Sequence, residues 1–154
     1  MNIADLIVPD RVIAALRVSD KPQLMQELSQ RAARLLAIES RAILDALQTR
    51  EVLGSTGVGQ GIAVPHARIA RLPQFFGLFA RLERPIDFDA VDERPVDLVF
   101  LLLIPAQAGN DHLTALATVS RRLRNRHAAA HLRAADTAAG LYDILTAPPS
   151  EAPS

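Results

Sequence analysis

Val96-Asp97-Leu98-Val99-Phe100-Leu101-Leu102-Leu103-Ile104 opens the longest uninterrupted apolar run of the chain, Leu98 to Ala106, 9 residues. A bilayer-crossing helix needs about 20 apolar residues, so this run is too short to span a membrane. After Asp97 both alternating sets of positions are apolar. A strand of that kind is buried on both faces, at the centre of a sheet covered from two sides.

The flanking sequence supplies the covers. Upstream, Gln74 to Leu82 reads as a second apolar strand, with Phe75, Phe76 and Phe79 as core residues. Further upstream, Asp20, Pro22 and Gln23 make a helix start, and Leu24, Leu28, Ala32, Leu35 and Leu36 recur at helical spacing. A second helix follows Ser40, carries Ile43, Leu44 and Leu47 on one face, and stops near Leu53-Gly54. Downstream, Asp111 is placed to cap a third helix with Leu113, Leu116, Ala117, Ser120 and Leu123 inward. Asp136 is placed to cap the last, with Leu141, Tyr142, Ile144 and Leu145 toward the core. Residues 1–18 read as a short helix or turn and then a strand. The order of elements points to a single α/β domain over residues 1–147, with helices on both faces of its sheet. Residues 148–154, rich in proline, read as a solvated tail.

The chain has 154 residues, a length that suits one domain. It contains no cysteine, which excludes disulfides, thiolate metal sites and a cysteine nucleophile. Basic and acidic residues balance at 17 each, without the basic surplus of a general nucleic-acid binder. Aromatic residues are only 4%, and Trp is absent, so no base-stacking platform is expected. The start, Met1-Asn2-Ile3-Ala4-Asp5, lacks the basic and apolar regions of a signal peptide. The chain reads as cytoplasmic, with no membrane insertion, no nucleic-acid partner and no cofactor.

Chemistry concentrates between Arg50 and Arg68. Gly54-Ser55-Thr56-Gly57-Val58-Gly59-Gln60-Gly61 places four glycines in eight positions and reads as a loop. Glycines admit close backbone approach to a ligand and can form an anion nest, to which Ser55 and Thr56 add hydroxyls. The stretch is not a P-loop, because no Gly-Lys-Ser/Thr closes it. It is not a dinucleotide fingerprint either, because it follows a helix and lacks the third spacing. Without more, such a loop is equally a flexible connection.

His66 adds the chemistry. It follows Pro65 at the end of a short strand, Ile62-Ala63-Val64, on the rim of the loop, with Arg50 at the loop's other end. A neutral imidazole can attack phosphorus without a separate base. Arginine, backbone N–H groups and hydroxyls can then neutralise the phosphoryl oxygens. His112, in the first turn of the third helix, lies where free N–H groups and the helix dipole favour an anion. His127 and His131 stand four apart, but no third ligand accompanies them, so they read as a solvated face. Arg121, Arg122, Arg124 and Arg126 form the densest basic run. Such runs are mostly solvated, and the alternative is an edge that docks an acidic partner.

The run Arg50-Glu-x-Leu-Gly-Ser-Thr-Gly-x-Gly-x-Gly-Ile-Ala-x-Pro-His66 resembles the active-site signature of the enzyme IIA domains of the phosphoenolpyruvate:sugar phosphotransferase system, fructose/mannitol type. Pro85-Ile-Asp-Phe-Asp-Ala, Pro95 to Pro105 and His112-Leu-x-x-Leu-Ala are similar to the same family, and the nitrogen-regulatory branch is the nearest in pattern. The resemblance extends from about Ile3 to Leu145. It implies a mixed β-sheet sandwiched by helices, with His66 phosphorylated and Arg50 and His112 flanking the phosphoryl group. It implies an HPr-like phosphocarrier as donor, and regulatory target proteins in nitrogen, potassium and carbon control as partners. Two other functions share the signature. One is a sugar-specific enzyme IIA that passes phosphate to an enzyme IIB. The other is a non-catalytic docking regulator toggled by His66 phosphorylation.

Overall fold

A computed structural model describes residues 1–148. Two 3₁₀ turns, Ile3–Asp5 and Pro9–Arg11, lead into β1 (Val12–Leu16). Helices α1 (Lys21–Leu36) and α2 (Ser40–Val52) follow, then β2 (Gly57–Gly59), β3 (Ile62–Ala63), β4 (His66–Ile69), β5 (Phe76–Ile86) and β6 (Val96–Pro105). The chain continues through α3 (Asp111–Arg124), α4 (Arg126–Ala134) and α5 (Ala138–Thr146). The strands form one mixed sheet in the order β1-β5-β6-β3-β2, and β4 also pairs with β6. The pairs β1–β5, β3–β6 and β4–β6 are parallel, whereas β5–β6 and β2–β3 are antiparallel.

β6 is the central strand that its composition implies. Val99, Leu101 and Leu103 join the core beneath α1 and α2. Leu98, Phe100, Leu102 and Ile104 join a second core beneath α3, α4 and α5. The two-residue side-chain period of a strand splits one apolar run between two faces. Each half then needs its own helical cover, which gives a helix–sheet–helix sandwich.

Several elements differ from expectation for identifiable reasons. The glycine stretch is not all loop, because Gly57–Gly59 pairs with β3. α4 was not separable from α3 in the sequence; Asn125 divides them, ending one and capping the other by accepting from the Ala128 N–H. The face of α3 matches the expected one only in part: Leu123 is buried and Leu116 packs against the core, but Ala117 is exposed. Ala115, Val119 and Leu123 are buried, while Leu113 is 59% exposed. The cap residues shift by one: Asn110 precedes α3, leaving Asp111 in its first turn, and Thr137 rather than Asp136 caps α5 through the Gly140 N–H. Asp20 does cap α1, accepting from the Gln23 N–H at 2.9 Å. Most of the proline-rich tail, residues 149–154, lies outside the described residues.

α4 is tied to the sheet by Arg81 of β5. Its guanidinium donates to the carbonyls of Leu132 at 2.8 Å and Ala135 at 2.6 Å, and to Ala14 of β1 at 2.9 Å. A cation that satisfies helix C-terminal carbonyls also complements the helix dipole.

Candidate active site

Pro65 separates β3 from β4. It has no N–H to give the ladder, yet its carbonyl accepts from the Leu102 N–H at 2.9 Å, so the chain stays against β6. His66 is therefore the first residue of β4, opposite Leu102, and not the last residue of the preceding strand. Ala67 and Ile69 alternate into the core, leaving His66 half-buried and Arg68 exposed.

The His66 ring is oriented by two bonds. Nδ1 lies 2.8 Å from the Val64 carbonyl, and Arg50 Nε lies 3.3 Å from Nε2. A carbonyl only accepts and a guanidinium only donates. Nδ1 therefore carries the proton, and Nε2 carries the lone pair. Arg50, in the last turn of α2, is held in turn by Nη1 donating to the Gly54 carbonyl at 2.8 Å.

Burial lowers the His66 pKa from its ordinary 6.5. The Val64 carbonyl opposes that shift. The charge of Arg50 adds to it, Glu51 opposes it, and His112 adds a smaller contribution. The ring is thus kept neutral. An NMR titration should place its midpoint below 6.5. An unfolded chain takes up this proton more readily than the folded one. The contribution of His66 to stability is therefore present above pH 6.5 and is lost as pH falls through the lowered value. A midpoint at or above 6.5 would contradict the burial and charge arrangement.

Glu51 escaped notice in the sequence. One carboxylate oxygen accepts from the Thr56 hydroxyl, and the other from the Thr56 N–H at 3.2 Å and Lys21 Nζ at 2.8 Å. Lys21 also reaches the Phe88 carbonyl at 3.2 Å and lies over the Phe88 ring. The pair is mostly buried, at 18% and 10% side-chain exposure, so each charge depends on the other. It fastens the end of α2, and with it Arg50, to the start of the glycine stretch.

That bonding changes the picture of the loop. The Thr56 hydroxyl is spent on Glu51, and the Ser55 hydroxyl donates to the Phe88 carbonyl at 3.2 Å and accepts from the Gly57 N–H at 3.0 Å. A Cβ on Gly57 would strike Ala90 at 2.9 Å. Gly59 faces Asp92, and Gly61 packs on Arg133 and Asp97. Of these glycines, the structure brings Gly54 to the His66 site through Arg50, whereas Gly59 and Gly61 belong to the hairpin beyond it.

His112 is in the first turn of α3. Its Nδ1 lies 2.7 Å from the Gly109 carbonyl and 2.9 Å from Arg68 Nη2. Arg68 also donates to the Ala106 carbonyl at 3.1 Å and the Gly109 carbonyl at 3.2 Å, fixing the turn before α3. His127 and His131 are exposed on α4. Among the described residues no group of three or more His, Asp or Glu side chains is placed to hold a metal ion. No helix among them is long and apolar enough to cross a membrane. Exposed apolar side chains follow the two residues that flank His66 in the proposed chemistry: Val52 and Leu53 after Arg50, and Leu113 after His112.

The family described as the phosphoenolpyruvate-dependent sugar phosphotransferase system, EIIA 2, matches residues 5–147. The chain is a phosphotransferase-system EIIA protein. It is 49% identical over 152 residues to a nitrogen regulatory protein of Bradyrhizobium diazoefficiens, covering 99% of each chain. The crystal structure of the nitrogen regulatory protein IIA-Ntr from Neisseria meningitidis superposes with a TM-score of 0.88 at 33% identity, over 94% of this chain and 99% of that one. The mannitol IIA of Escherichia coli, solved in complex with phosphorylated mannitol IIB, shares the fold at 15% identity, with a TM-score of 0.75 over 91% and 98%. The mixed α/β sandwich is thus an EIIA fold. Family membership carries the role of a phosphotransferase component, and the two reported relatives above 30% identity are nitrogen regulatory proteins.

Proposed function

We propose that the protein is a phosphoryl-carrier regulator of the nitrogen-related phosphotransferase system. It accepts a phosphoryl group on His66 Nε2 from an HPr-like phosphocarrier and controls regulatory partners according to its phosphorylation state. The observation that carries this reading is the tautomer of His66, with Nδ1–H held on the Val64 carbonyl and the Nε2 lone pair beside Arg50.

The Nε2 lone pair forms the new N–P bond while the P–N bond to the donor's imidazole breaks, and the departing ring keeps that electron pair. The Val64 carbonyl supports the positive charge that grows at Nδ1–H. The Arg50 contact with Nε2 is long at 3.3 Å, hence weak and readily exchanged for a phosphoryl oxygen. On His112, Nδ1 cannot donate to Gly109 and accept from Arg68 at once. The tautomer in which Nδ1 accepts from Arg68 carries its proton on Nε2, where it can be donated to a phosphoryl oxygen; the tautomer in which Nδ1 donates to the Gly109 carbonyl cannot do so. The half-buried ring suits a partner protein more than an enclosed small substrate, and exposed Val52, Leu53 and Leu113 are apolar side chains that a carrier's helix could cover. The Gly54–Thr56 backbone would form one wall.

The test is incubation with phosphoenolpyruvate, enzyme I and the HPr-like carrier, read by intact mass. One acid-labile phosphoryl group is expected. Transfer from a carrier already charged should also survive EDTA, because Arg50 can neutralise phosphoryl charge and no group of three or more His, Asp or Glu side chains among the described residues is placed to hold a metal ion. Absence of any mass gain, with the carrier shown to be charged, would overturn the function.

A further inference from the structure

Four of the arginines that the His66 chemistry leaves unused gather near the other end of α3. We propose that they form a binding cleft for a small polyanion bearing two or more phosphate groups, of nucleoside-diphosphate size, separate from the His66 site.

The cleft is a surface hollow of about 680 Å³, within the size range of small-molecule sites. Arg94, Arg124, Arg126 and Arg133 line it. Among the described residues, none of Arg94, Arg124 and Arg126 has a carboxylate within ion-pair distance. The fourth is anchored. Arg133 takes Asp97 through Nε at 2.9 Å and Nη2 at 2.8 Å, and donates to the Gln60 carbonyl at 3.0 Å. Gly61 makes that anchor possible, because a Cβ there would lie 2.5 Å from Arg133 Nη2. A chain with no net charge therefore places four guanidinium groups around a hollow whose own lining holds one carboxylate, Asp97; Asp92 accepts from the Gln60 N–H at 2.9 Å and is close enough to Arg94 to feel its charge.

The occupant follows from the donors. Guanidinium forks match phosphate oxygens bidentately, and several around one hollow favour clustered anionic groups over a single charge. Exposed Pro85, Pro95 and Ala130 add an apolar lining against which the uncharged part of a ligand can rest. Asp87, Asp89 and Glu93 line a different hollow across Pro95, so an anion is confined to the α3–α4 side. The concave shape fits a small molecule better than an acidic protein face.

The two sites are far apart. Asp97 and Leu102, the partner of His66, are separated by about 16 Å along β6 at a strand's rise. His112 and Arg124 are about 18 Å apart along α3 at a helical rise. A ligand in the cleft leaves the phosphoryl-accepting face open.

Calorimetry with pyrophosphate and ADP, against orthophosphate and a poly-glutamate peptide, tests the proposal at physiological salt. Saturable 1:1 binding of pyrophosphate or ADP is expected, at least about tenfold tighter than orthophosphate, and at least about tenfold weaker in Arg124→Glu and Arg126→Glu. Both residues are exposed, so circular dichroism should be unchanged in these variants. His66→Ala should bind as the wild type does, which separates this cleft from the phosphoryl site. No saturable binding, binding indifferent to both arginine substitutions, binding lost in His66→Ala, or binding of the acidic peptide alone would each overturn it. The last would assign the surface to a protein partner.

Discussion

His66→Ala takes up no phosphoryl group from the charged carrier, yet folds. That outcome is expected because His66 supplies the lone pair and little of the core. Its ring is half-buried at the start of a strand, and its Nδ1 bond to Val64 is worth about 0.5–1.5 kcal/mol. The melting temperature should therefore fall by no more than about 6 °C for a domain of this size. His112, His127 and His131 remain in the variant, so the experiment also asks whether an imidazole elsewhere can substitute. His127 and His131 lie exposed on α4, without the Arg50 and carbonyl pairing that His66 has. A stable, acid-labile phosphoryl group on the alanine variant would remove His66 from the centre of the mechanism.

The sandwich was legible wherever one physical signal acted alone. β6 announces two covered faces because all of Leu98 to Ile104 is apolar, and no polar-out alternation competes. α1 announces its start because Asp20, a short capping side chain, stands just ahead of Pro22 and the helical spacing of leucines. The signal failed where two causes overlapped. From Asp111 to Ala134 the helical propensity is nearly continuous, and only Asn125, which ends α3 and caps α4, divides it. In α3, leucines sit at positions 113 and 116 and the smaller Ala115 at the position that faces the sheet. Size suggested Leu113, whereas the close approach of helix to sheet selected Ala115.

The candidate site divides in the same way. His66, Arg50 and Gly54 meet as their spacing around the loop suggested. The residues that place them could not be found by spacing, because their partners come from distant segments. Glu51 binds Lys21 and Thr56, 30 residues back and 5 ahead, and Arg68 binds His112 across 44 residues. Glu51 also looks like an ordinary exposed helix residue until the chain folds Lys21 over it. The glycines misled for a related reason. A ligand cradle and close packing within the fold both demand a missing Cβ, and the second demand is met by Gly57 against the Ala90 backbone, Gly59 against the Asp92 side chain and Gly61 against the Arg133 and Asp97 side chains.

Arg50→Ala should slow phosphoryl acceptance by about 10²–10³, the usual cost of removing one donor from a developing charge. The side chain is preorganised. It leaves the last turn of α2, where a cation is favoured, and the Gly54 carbonyl fixes its outer nitrogen at 2.8 Å while Nε faces His66. Little reorganisation is then needed when a phosphoryl group arrives beside Nε2. The substitution has a second, smaller effect of known sign. Arg50 is one of the charges that lower the His66 pKa, so its loss lets that value rise toward the ordinary 6.5. Near pH 6.5 the variant therefore also loses neutral nucleophile, whereas near pH 8 both proteins hold His66 neutral. Rapid-quench transfer rates at the two pH values separate the contributions. The deficit at pH 8 measures the donation to phosphoryl oxygens, and any extra deficit at pH 6.5 measures the proton held by the ring. Arg50→Lys keeps the charge and loses the fork that spans Gly54 and His66, so its rate should fall between the two. A wild-type rate for Arg50→Ala at pH 8 would show that this guanidinium only orients the resting ring and takes no part in transfer.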